Sequence, residues 1–139
     1  MSIAKADDRI LAALEDHLNQ LFDAPPIAFE NVQFTPPDGP WLRGTILPGQ
    51  TAQGSMGDDG YNTYQGLYQV SVFTPRNTGR AQALELVTQI IEHFHRGRVL
   101  DFIPGIKVRI GVASRLAAQT EANWYHVPVQ IAWTAHANP

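Results

Sequence analysis

The chain has 139 residues, a net charge of −3 and no cysteine. That size fits a single domain, the missing cysteines exclude a disulfide framework and any thiolate metal site, and packing is left as the source of stability. The 44% hydrophobic and 17% charged content suits a folding chain, and the acidic net balance argues against a dedicated nucleic-acid binder, which carries a basic domain or stripe.

Ile3, Ile10, Leu11, Leu14, Leu18, Leu21 and Phe22 recur at three- and four-residue steps, which predicts an amphipathic helix from about Ser2 to Asp23. Ser2 is placed to cap it, and Ala24-Pro25-Pro26 ends it, because proline restricts the residue before it and donates no helical hydrogen bond. The same segment mixes Lys5, Asp7, Asp8, Arg9, Glu15 and Asp16 into its apolar residues, so it lacks the apolar core of a secretion signal. Elsewhere no apolar run approaches the roughly 20 residues of a membrane span.

Residues Ile27 to Phe34 read as a short extended piece, and Thr35-Pro36-Pro37-Asp38-Gly39-Pro40 as a turn. A strand follows over Trp41 to Leu47. The segment from Gly49 to Thr63 is rich in glycine and amides, and at this length a connection inside a compact domain is usually functional or disordered. It is expected to be a long flexible hairpin arm that orders on a partner. Tyr64 to Phe73 resumes as a strand with Tyr64, Gly66, Tyr68, Val70 and Val72 on one face. Asn77-Thr78-Gly79 supplies cap chemistry for a second helix from about Arg80 to His95, whose buried stripe is Leu84, Val87, Ile90, Ile91 and Phe94, with Gly97 at its C-terminal cap.

Two alternating strands complete the chain: Ile106 to Val112 and Tyr125 to Trp133. Ser114 to Asn123 reads as a loop or an irregular continuation of their hairpin. Pro128 removes a backbone donor, which points to an edge position or a bulge. The expected architecture is α+β over one domain, 1–139, with a four- to five-stranded, mostly antiparallel (mixed) sheet and two helices packed on one face. Parallel pairing is expected, if anywhere, across the second helix.

The residues that carry chemistry elsewhere do not assemble here into a catalytic or metal-binding pattern. His93 and His95 lie about 200° apart around a helix and cannot share a metal, and His93 reads as part of an exposed helix end. His17, His126 and His136 lack acidic or histidine neighbours at ligand spacing and read as surface or interface packing. Gly54-Ser55-Met56-Gly57 misses the full spacing of a nucleophile elbow. The loop glycines precede no Gly-Lys-Ser/Thr ending, and Asp58-Asp59-Gly60 lacks the spaced ligands of a calcium loop. The expectation is no enzyme, no cofactor and no metal.

Charge is divided unevenly along the chain. Residues 1–63 carry three basic and nine acidic side chains, while 64–139 carry seven and four. Complementary halves favour head-to-tail contact between identical subunits when they map onto opposite faces. Arg76, Arg80, Arg96, Arg98, Lys107, Arg109 and Arg115 would then form a basic face suited to acidic protein surfaces.

Several stretches together resemble the tail-terminator family of long-tailed bacteriophages: Phe22-Asp23-Ala24-Pro25, the run Ile27 to Asn31, Trp41-Leu42-Arg43, the motif Gly66-Leu67-Tyr68-Gln69-Val70-Ser71-Val72, then Gly79 and a helix ending His93-Phe94-His95-Arg96-Gly97. The resemblance covers nearly the whole chain. It implies a virion protein at the head-proximal end of the tail, assembled in the host bacterial cytoplasm. Six copies would form a ring that caps the tail tube, ends its polymerisation and joins it to the head. The implied partners are the protein itself, the tail tube protein and a head-completion or neck protein, with DNA passing through the lumen, no membrane and no sequence-specific nucleic acid. The residues expected at the assembly interface are Arg43, Asp58, Asp59, Tyr61, Arg76, Arg96, Arg98, Arg109 and Arg115. Two alternatives are another neck or head-completion protein, and a small ligand-binding domain with a closed apolar pocket.

Overall fold

The computed structural model describes residues 3–49, 52–53, 62–103 and 106–137. Helix α1 spans Ile3–Asn19, which places the proposed cap Ser2 outside the described residues. Ile10, Ala13, Leu14, His17 and Leu18 form its buried stripe. The helix stops four residues earlier than its apolar pattern suggests, because the amides of Gln20 and Leu21 bond three residues back, to His17 and Leu18, at 3.1 Å. Such bonds tighten and close a last turn. Asp23 then takes a left-handed conformation, φ 54°. Leu21 still folds under the helix, but Phe22 swings out and is 90% exposed.

Strand β1, Ile27–Ala28, pairs parallel with β2, Trp41–Pro48, through Ile27↔Leu42 and Ala28↔Arg43. The extended piece expected to reach Phe34 is therefore a strand over two residues only. Beyond it the Glu30 carboxylate accepts a 2.9 Å bond from the Ile46 amide, so a side chain replaces the backbone partner that a longer β1 would have supplied to this edge. The parallel pair of the mixed sheet is thus found here and not across the second helix.

The spine of the fold is β4, Asn62–Pro75, paired antiparallel over all its 14 residues with β8, Trp124–Ala137. Strand β2 lies on the other side of β4, and β3, Ala52–Gln53, adds to the start of β4. Part of the predicted arm therefore continues the ladder. Helix α2, Ala81–His93, follows β4. Strands β5, Val99–Ile103, and β6, Ile106–Arg115, form a hairpin whose second strand pairs with β8, and β7, Gln119–Glu121, folds back on the start of β8. The main path runs β1-β2-β4-β8-β6-β5, with β3 and β7 off it. The expected four to five strands miss β5, whose apolar residues do not alternate, and the short strands β3 and β7, while β1 is the expected extended piece cut to two residues.

Apolar residues of β4, β8 and β6 on one side of the sheet, including Tyr68, Val70, Val72, Val129, Ile131 and Ile110, merge with the helix stripes into one core cluster. Burying each large side chain contributes about 1.5–3 kcal/mol. The layers are not flat. The sheet curls so that α1 packs on β5 and β6 while Leu18 reaches the Gly44 position on β2, and α2 covers β4 and β8. The helices are thus held by different strands of a curved wall, in contrast to the simple side-by-side layer expected.

Pro128 is buried on a central strand, which corrects the edge expectation. Its carbonyl accepts a 2.9 Å bond from Leu116, so its missing N–H would point to that same side of β8. There the β6 ladder ends at Arg115↔Val129 and the β7 ladder begins at Gln119↔His126. The proline occupies the gap between two partners and costs neither ladder a bond. A bulge does occur, in β6 between Ile110 and Ala113.

At α2 the expected cap is absent: Arg80 stands at the N-cap without a side-chain bond, and the Thr78 hydroxyl donates to the Pro75 carbonyl at 2.7 Å. Gly97, φ 89°, serves the turn after the helix and donates to Ile110 O at 2.8 Å. On α1, burial and then the negative charges of Glu30, Asp16 and Asp8 push the Glu15 carboxyl above its ordinary value. Since the ionised form is disfavoured in the folded protein, Glu15→Gln should raise the melting temperature by roughly 1–2 °C at pH 7. The gain should vanish near pH 4, and a variant that melts lower than the parent at pH 7 would contradict the assignment.

No helix among the described residues is long and apolar enough to cross a membrane.

Candidate assembly surfaces

The face of the sheet turned away from the helices carries its own small cluster. Cross-strand register sets Trp41, Phe73 and His126 in a row, and their rings stack at 4.0 Å and 4.4 Å with interplanar angles of 6° and 9°. The Arg43 guanidinium lies 4.9 Å from the Phe73 ring centroid, within the range of a cation–π contact. Glu121 sits 3.3 Å from His126 Nδ1. Burial pushes the His126 imidazole down, the contact with Glu121 opposes this, and Arg43 adds to it. Below the stack a polar band begins, in which Gln130 donates to Gln69 Oε1 at 3.2 Å and Gln69 donates to Ser71 Oγ at 3.3 Å.

The residues expected at the interface do not form one surface. The backbones of Arg98 and Arg109 come together at one corner, where the Ile110 amide bonds to Arg98 O at 2.8 Å and Val99 pairs with Arg109, and Arg96 precedes them in the turn after α2. Arg76 lies at the far end of the β4–β8 spine, donating to Ala122 O at 3.2 Å. Arg43 stands on the outer face of β2, and Arg115 at the end of β6. Asp58, Asp59 and Tyr61 fall outside the described residues. The expected single basic face is therefore divided between the two ends of the sheet.

A third surface is an open groove of about 940 Å³. Leu21, Phe22 and Pro25 wall one side, Pro37 and Pro40 close it, and α2 presents Glu85, Leu86, Gln89 and Glu92. Phe22 stands on its rim. Sequence reasoning placed Phe22 on the buried stripe, and the only sign to the contrary is its distance of three residues from Pro25.

His17, His93 and His126 differ from expectation, while His136 is exposed as expected. His17 and His93 are a contact pair, with ring centroids 3.9 Å apart and planes 4° from parallel. A signal was available: His17 is three residues after Leu14 and His93 three after Ile90, so each continues an apolar stripe. His126 lies in the outer-face stack. Among the described residues no group of three or more His, Cys, Asp or Glu is placed to hold a metal.

Comparison with known proteins bears directly on the fold. No curated protein matches the chain. A solved structure without a functional name is 27% identical to it with a TM-score of 0.76, covering 96% of this chain and 97% of the other. Residues 9–133 match the family described as phage tail terminator protein, a span that includes most of α1, all of α2 and the sheet as far as Trp133. The chain belongs to the phage tail terminator family.

Proposed function

We propose that the protein caps a phage tail tube as a ring of six copies, ends tube polymerisation and presents a surface to a head-completion or neck protein. Family membership makes it a structural component of a phage tail, and the match over residues 9–133 is the observation that carries the reading. Physical support comes from an open sheet, with β1 and β5 at its two ends, and from Phe22, an aromatic side chain 90% exposed on the rim of a groove. Sheet ends and exposed aromatic side chains are surfaces that partners cover. A ring of heterologous contacts would set one such surface of each copy against a different surface of the next.

Light scattering combined with electron microscopy tests this. The expected mass is about 92 kDa, six times the 15.4 kDa chain, with six-fold rings in the images or at the ends of added tail tubes. A monomer that also leaves added tubes uncapped would overturn the reading. Phe22→Ser is expected to weaken self-association on the order of 30-fold, as loss of an interface anchor does, with the monomer's melting temperature unchanged.

A further inference from the structure

We propose that His17 and His93 form an acid-operated latch, which joins the C-terminal ends of α1 and α2 at neutral pH and releases them, together with one wall of the adjoining groove, on acidification. This rests on the local geometry and is independent of the proposed function. Each imidazole reaches across to the last turn of the other helix: His17 Nε2 donates to the His93 carbonyl at 2.8 Å, and His93 Nε2 donates to the His17 carbonyl. These carbonyls lie at helix C-termini, where i to i+4 partners run out, and although the His17 carbonyl also accepts the Gln20 amide at 3.1 Å, each side chain caps the opposite helix. The reciprocal pair requires Nε2–H on both rings, which the Nε2–H tautomer supplies while the rings are neutral; an imidazolium would keep that donor, so release comes from the added charge and not from a lost bond donor. Phe94 closes the arrangement edge-on against both, with centroids at 4.7 Å from His17 and 5.5 Å from His93.

Protonation acts against this geometry in two ways. It places a charge on His17 in a site only 2% exposed, and with both rings charged it sets like charges 3.9 Å apart. From the turn after α2, Arg98 and His95 add positive charge. Asp23, Glu85 and Glu92, of the opposite charge, line the same groove as His93. The strands beneath contribute Tyr68, which touches Phe94. Burial pushes the His17 imidazole from 6.5 to about 4, against the opposing pull of its bond to His93. The released state therefore binds a proton more readily than the latched one. The latch is fully formed above about pH 6.5 and weakens as the pH falls toward 4.

The test is amide hydrogen exchange at Leu18–Leu21 and Ile91–Phe94, corrected for intrinsic rates. From pH 7 to pH 5, protection there should fall about 20-fold, the ratio that titration at 6.5 and about 4 implies, while Val108 and Ile131 in the sheet keep theirs. In the double variant His17→Gln, His93→Gln, whose amides donate without titrating, protection should be flat with pH. Unchanged protection in the parent, or an equal loss in the double variant, overturns the proposal. Nitrogen-15 imidazole spectra of the parent give a second reading that needs no variant. They should show Nε2–H tautomers at both sites at pH 7 and His17 titrating near 4, and titration of His17 near 6.5 overturns the latch.

Discussion

Gly66→Ala should destabilise the protein by about 1–3 kcal/mol, the usual cost of forcing extra volume into a packed site. Gly66 pairs with Pro48 on one side and Trp133 on the other. A methyl carbon there would lie 2.5 Å from the Leu47 carbonyl oxygen, 2.9 Å from the Gly49 amide nitrogen and 3.0 Å from the Trp133 ring. Two of those three atoms are backbone, and the end of β2 is tied by a 2.7 Å bond from Gly49 to Gln65 O. The strand cannot retreat without breaking its ladder. At roughly 3–5 °C per kcal/mol for a domain of this size, the melting temperature should drop by about 3–15 °C. Gly79, φ 87° with open space around it, gives the control: alanine there meets only backbone strain, on the order of 1 kcal/mol. Equal melting of Gly66→Ala and the parent would show that the end of β2 yields freely.

This glycine also shows what the sequence discloses and what it withholds. The alternation from Tyr64 to Val72 identifies the strand and its buried face, because a two-residue period has one physical reading. It also marks Gly66 as a position on that face without a side chain. That β2 crosses so close to it depends on register, which pairs residues nearly twenty positions apart. The same limit explains the shortened strand and the missed one. β1 ends because Glu30 replaces a backbone partner on β2, and β5 carries no alternation to announce it. Pro128 reads in the sequence as a missing donor at an edge or a bulge, since the gap between β6 and β7 exists only once both are folded against β8.

The candidate surfaces were less legible than the strands. Arginines grouped in the sequence are divided by the spine, with Arg76 at one end and Arg98 and Arg109 at the other, because β4 and β8 carry the chain the full length of the sheet. The Trp41–Phe73–His126 stack draws its members from three strands and has no local signature. His17 and His93 did have one, the continuation of an apolar stripe, but a histidine at a buried helical position finds its reason only in a partner 76 residues away.

Two phenylalanines extend helical apolar stripes in the sequence, and they should respond to the same truncation in opposite ways. Phe94 is 0% exposed, touches the rings of Tyr68, His17 and His93, and holds the end of α2 through its amide bond to Ile90 O at 2.9 Å. Phe94→Ala leaves a cavity among rings fixed by the sheet and the latch, so the loss should be about 3–5 kcal/mol. That is a large part of the 5–15 kcal/mol total typical of a domain. Urea titration should show the midpoint falling with the slope unchanged. Phe22 is 90% exposed, and Phe22→Ala should leave the midpoint within about 0.5 kcal/mol of the parent. What Phe22 loses is area to bury against a partner, so its truncation should appear in self-association alone. A Phe94→Ala protein as stable as the parent would mean the helix ends repack around the gap. A Phe22→Ala protein with a lowered midpoint would mean that the loop after α1 folds inward in solution, returning Phe22 to the core that its sequence pattern suggested.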